Sequence, residues 1–112
     1  MKYTTKNTKG ITVIALSGNV MGGPDATVLN QQIHQLIDGG TKKVVIDLTE
    51  VQFVNSSGLG MLIGSLTTMR NAGGELKIAG ASKKVETLIQ VTKLHDVFDM
   101  HKTVSAAIAS FK

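Results

Sequence analysis

The apolar positions of this chain change period several times, and each change marks an element. Residues 3–8 are weakly strand-like. "ITVIALSG" follows, with Ile11, Val13, Ile14 and Leu16 on both parities. That pattern belongs to a strand covered on both faces, or nearly so. Lys9-Gly10 between the two segments reads as a hairpin turn.

"NVMGGPD" breaks the pattern and holds the one proline, Pro24. Asp25 is placed to cap a helix over residues 26–37. Leu29, Ile33, Leu36 and Ile37 stand at i, i+4, i+7 and i+8, which is one apolar stripe. Gly39-Gly40 ends it, because glycine takes the left-handed conformation beyond a helix without steric cost. "KVVIDL" predicts a short buried strand. Ser56 or Ser57 is placed to cap the next helix, whose inner face carries Leu59, Leu62, Ile63, Leu66 and Met69. Gly73-Gly74 closes it. Gly60 and Gly64, four apart, are expected to let that helix approach the sheet. "ELKIAG" alternates, with Leu76 and Ile78 on one face and Lys77 on the other. Ser82 caps a third helix with Val85, Leu88 and Ile89. "VFDM" predicts a short strand, and "TVSAAIASF" a last helix using Val104, Ala107, Ile108 and Phe111.

The order is ββαβαβα(β)α. Strands alternating with helices imply a largely parallel sheet, and the opening hairpin makes it mixed. The expectation is an α/β fold in one domain spanning residues 1–112, with about four helices in a single layer against one sheet face.

Composition narrows the function. The chain has 112 residues, 42% hydrophobic, with no cysteine. Disulfides, thiolate chemistry and cysteine-ligated zinc are excluded. No apolar run approaches the roughly 20 residues of a membrane span, and "MKYTTKNTKG" is not a signal peptide. A cytoplasmic protein without membrane insertion is expected. The net charge is +4, but the lysines are scattered, Arg70 is the one arginine, and aromatics are 4%. A solvated surface explains the charge better than direct nucleic-acid binding.

The remaining candidate chemistry lies in "VNSSGLG", residues 54–60. A nucleophile elbow needs G-x-S-x-G, and neither serine has a glycine two before it. His34, His95 and His101 have no spacing that favours a triad. No lysine follows Gly58, Gly60 or Gly64 as a P-loop requires. Asp47, Glu50, Asp96 and Asp99 make no metal-ligand pattern. No catalytic residue, metal or cofactor is expected. A serine in an exposed strand–helix connection remains. Capping alone would explain it, at about 1 kcal/mol. A phosphoryl group there would also meet helix amides and the positive dipole end. It would add a charge of roughly −1.5 to −2 to the surface.

"VVIDLTEVQFVNSSGLGMLIGS", residues 44–65, resembles the signature of the STAS domain of anti-sigma factor antagonists. That signature is an apolar strand ending in aspartate, a short connection, then Asp-Ser-Ser-Gly-Leu-Gly and an apolar helix. Asp47, Ser56, Ser57, Gly58, Leu59 and Gly60 match it. The element order matches over nearly the whole chain. The resemblance implies a non-enzymatic anti-anti-sigma factor. Such a protein binds an anti-sigma factor that is also a serine kinase. It is released when the kinase phosphorylates the serine before the motif glycine, here Ser57. A PP2C-type phosphatase restores it.

Two positions depart from the family pattern. Asn55 replaces the aspartate before the serine pair, and Met21 stands where many members carry an acidic residue. Ser57, the loop of residues 19–24 and the start of the 56–70 helix are expected to lie together. Asn19, Val20, Met21, Asn55, Ser56, Gly58 and Leu59 are then the expected partner-binding residues, with Val20 and Met21 as an apolar patch. A monomer is expected, since no long apolar edge is evident. Two alternatives keep the same residues. One is a STAS scaffold without phosphorylation, in a signalling or ABC lipid-transport complex. The other is a small-ligand or nucleotide-binding domain using the glycine-rich loops.

Overall fold

The computed structural model describes residues 1–111. Its elements are β1 (Lys2–Thr8), β2 (Ile11–Val20), α1 (Pro24–Asp38), β3 (Lys43–Val54), α2 (Ser56–Asn71), β4 (Glu75–Ala79), α3 (Lys83–Val91), β5 (Asp99–His101) and α4 (Val104–Ser110). The five strands lie side by side in chain order. β1 and β2 are antiparallel, and every other neighbouring pair is parallel. The β1–β2 turn has positive φ at both Lys9 (54°) and Gly10 (79°). That is the type I′ geometry that suits the twist of a two-residue hairpin.

Sequential strand order decides where the helices go. Crossovers between parallel strands keep one hand, so α1, α2 and α3 all land on the same face. Even-numbered sheet residues face them: Ile14, Leu16, Val44, Ile46, Leu48, Leu76 and Ile78. They pack with Leu29 and Ile33 of α1, Leu62, Leu66 and Met69 of α2, and Val85 and Ile89 of α3. α4 is not a crossover, and it lies on the opposite face. There Ile11, Val13, Val45 and Ala79 pack under Ala107, with Val104, Ile108 and Phe111 around them. The expected single layer thus holds three helices, and the fourth covers part of the back. This also explains why β2 is apolar on both parities.

Lys77 belongs to that back face. It is on the opposite face from Leu76 and Ile78, as the alternation suggested, and is 6% exposed. Its Nζ donates to Asp99 Oδ2 at 2.6 Å and lies 4.7 Å from the Phe111 ring centroid. His101 Nε2 stands 2.9 Å from the other oxygen of Asp99. The hydrogen bond from Lys77 holds the Asp99 carboxyl below the usual carboxylate range, although burial pushes it up.

Three local expectations change. β3 does not stop at Leu48 but runs to Val54 along β2, with register shifts after Ala15 and Gly18. The bulges space the buried Val51 and Val54 three apart, so neither a strand nor a helix period is visible there. The "VFDM" strand begins two residues later, at Asp99, because Phe98 is a core residue that ends the preceding turn. α1 begins at Pro24 after Gly23, so Asp25 sits in the first turn and does not cap it. Proline tolerates that position because its missing N–H has no intrahelical partner there.

Candidate functional site

The site forms where β2 and β3 end together. Asn19 pairs with Phe53 and Val20 with Val54. The Asn55 amide then donates to the Val20 carbonyl at 3.3 Å, and α2 begins at once. Asn55, not Ser56 or Ser57, is the N-cap of α2: its Oδ1 accepts from the Gly58 amide at 2.7 Å. Asparagine caps as well as aspartate does. The departure from the family pattern therefore keeps the turn and drops the charge.

Two glycines fasten the 19–24 loop to the helix. A side chain on Gly58 would run into the Val20 carbonyl group. A Cβ on Gly22, whose φ is +80°, would stand 2.6 Å from the Cβ of Ser57. Gly60 and Gly64 have open space around them. The close-approach glycine of α2 is therefore Gly58, and the expectation for Gly60 and Gly64 is corrected.

This packing sorts the expected residues. Ser56 and Ser57 are the first two residues of α2, and both are exposed. Asn19 is exposed, and Met21 is 44% exposed. Val20 (0%) and Leu59 (4%) are core residues, and Gly58 is buried. Strand pairing buries Val20, so the expected Val20–Met21 apolar patch reduces to Met21. Phe53 was missed: it is 47% exposed at the end of β3, beside Asn19. The available signal was an aromatic residue two positions before Asn55, in a chain with three phenylalanines.

No acidic residue stands in the first turn of α2. The positive end of the helix dipole is thus not offset by its own side chains. Among the described residues, His101 is the histidine hydrogen-bonded to a serine, Ser110, at 3.3 Å. Ser110 and Asp99 both approach the same ring nitrogen, Nε2. A serine–histidine–aspartate relay needs opposite nitrogens, so this cluster has no relay geometry. Among the described residues no three His, Cys, Asp or Glu gather as a metal site would require. Among them, no helix is long and apolar enough to cross a membrane.

Comparison with known proteins matches the STAS domain family over residues 2–107. The BtrV protein of Bordetella bronchiseptica is 26% identical over 112 residues, which is 100% of this chain and 96% of BtrV. An anti-sigma-B factor antagonist of Listeria monocytogenes is 32% identical over 69 residues, 62% of this chain and 59% of the Listeria protein. Among solved structures, the anti-sigma factor antagonist SpoIIAA in its unphosphorylated form superposes with a TM-score of 0.73 at 16% identity, covering 96% of this chain and 94% of SpoIIAA. The Bacillus protein in its phosphorylated form gives the same score at 19% identity, covering 96% and 97%. On this sequence match and the shared fold, the chain belongs to the STAS domain family.

Proposed function

We propose that this chain is an anti-sigma factor antagonist whose partner binding is switched off by phosphate on Ser57. The observation that carries the reading is the position of Ser57. Ser57 is exposed in the first turn of α2, on a segment fixed by the Asn55 cap and the Gly22 contact. The names of the Listeria relative and of SpoIIAA, and the existence of SpoIIAA in two phosphorylation states, support it.

The physics of the switch is local. A phosphoryl group adds roughly −1.5 to −2 charge at a helix N-terminus, where amides and the dipole tolerate an anion. The chain need not refold. A partner surface docked over Ser57, Met21 and Phe53 would instead have to desolvate that charge, at a cost of several kcal/mol. In this reading the partner is an anti-sigma factor with serine kinase activity, and a PP2C-type phosphatase reverses the modification.

The test is mass analysis after incubation with the cognate kinase and ATP. One phosphate mapped to Ser57, lost in Ser57→Ala, supports the proposal. Absence of modification, with partner binding unimpaired in Ser57→Asp, rejects it.

Met21 favours a second reading, a constitutive scaffold. An exposed methionine in place of an acidic residue suits an apolar contact that needs no charge switching. Co-purification with transporter or sensor subunits, and with no kinase, would promote it.

A further inference from the structure

We propose that the outer flank of α3 is a docking groove for an acidic amphipathic helix of the partner. α3 carries two lines of side chains. Val85 and Ile89 point into the core and are buried. Lys84, Thr87, Leu88 and Val91 stand at i, i+3, i+4 and i+7, so they form a second line on the same helix. Across from them lie Phe53 and Val54, the last residues of β3. Together they enclose a groove of about 370 Å³.

The groove is apolar where the fold has no use for it. Val91 is 73% exposed and Phe53 47% exposed. A helix that only covered the sheet would be polar at 91. The groove also runs directly into the switch: Phe53 and Val54 immediately precede Asn55, the cap of α2.

Shape and charge name the occupant. The nine residues of α3 span about 13 Å, or some two turns. An amphipathic helix laid along that length would seat anchors at i, i+3 or i+4, and i+7. Among the described residues, Lys84 is the one charged side chain lining the groove. Lys83 precedes it, and Glu86, the acidic residue of the same first turn, does not line the groove. Carboxylates on the flank of the docked helix are therefore attracted, and lysines there are repelled.

This deepens the reading above and rests on it in one respect, that the helix belongs to the partner Ser57 controls. The test needs neither that partner nor phosphate. The full chain, labelled with nitrogen-15, is titrated with synthetic peptides of about 15 residues. One has leucine anchors and glutamate flanks, a second has lysine for glutamate, and a third carries a central proline.

The expected result is that the glutamate peptide shifts the amide signals of Thr87, Leu88 and Val91. Lys84→Glu should weaken that peptide about fivefold and favour the lysine peptide by a similar factor. Val91→Ser, at an exposed position, should weaken both without unfolding the chain. Equal binding of the glutamate and lysine peptides overturns the proposal. So does equal binding of the proline peptide, or no groove shift at millimolar peptide. Concentration-dependent groove shifts without peptide would identify a second copy as the occupant and overturn it as well. If the peptides fail while Ser57 is phosphorylated, the groove is rejected and the switch stands. The opposite pair of outcomes rejects the switch alone.

Discussion

Gly22 supports Ser57 from below: a Cβ at Gly22 would stand 2.6 Å from the serine Cβ and 3.0 Å from its carbonyl carbon. The loop after β2 and the start of α2 are thus one surface, and their contact admits no larger residue. Gly22→Ala meets this clash and the strain of a positive φ together. A loss of about 1–3 kcal/mol is expected. Urea unfolding should show a lower midpoint with an unchanged slope. Ser57 phosphorylation should slow in the same variant.

The Asn55 cap gives a second prediction. Asn55→Ala removes the acceptor for the Gly58 amide and should cost about 1 kcal/mol. Asn55→Asp keeps the acceptor and adds a negative charge at the positive end of α2. It should be neutral or stabilising, by about 0.3–1 kcal/mol at low salt. Thermal melting of both variants checks the order.

The glycines of α2 should respond with opposite signs. Gly58→Ala forces a methyl group into the Val20 carbonyl and should destabilise by about 1–3 kcal/mol, or prevent folding. Gly60→Ala places the same methyl group in open space on an exposed helix position. It should stabilise by about 0.5–1 kcal/mol. Denaturant midpoints of the pair read this directly.

Acid should loosen the back face first. The hydrogen bond from Lys77 lowers the Asp99 carboxyl below its unfolded value. A group depressed in the folded state contributes stability above its unfolded pKa, near 3.9. That contribution is lost as pH falls through the lower folded value. Wild type should therefore exceed Asp99→Asn in urea midpoint above about pH 5. The margin should shrink below about pH 4. Because half of the Asp99 side chain is exposed, the margin is expected to be small.

How much of this was legible in the sequence depended on whether one rule acted alone. The stripe Leu29–Ile33 and the run from Leu59 to Met69 follow a 3.6-residue period. Helices α1 and α2 were therefore readable to within a few residues. β3 beyond Leu48 was not, because the bulges against β2 replace the two-residue period. Ser56 and Ser57 were the expected caps, but asparagine caps as well as serine does, and Asn55 stands just before them. Only the close packing of Gly58 on Val20 decides which one sits at the boundary. The burial of Lys77 was hidden for a related reason. A lysine on an alternating strand reads as solvated until a helix and an aspartate are seen to cover it.

The placement of α4 has one more consequence. Phe111 packs near Lys43, the first residue of β3, while Ser57 follows the last. The two therefore stand at opposite poles of the longest strand, on different sides of the sheet. Any polypeptide appended beyond α4 would start at the pole opposite Ser57. Tethering the protein by that tail, to a larger complex or to a sensor chip, would present the serine outward.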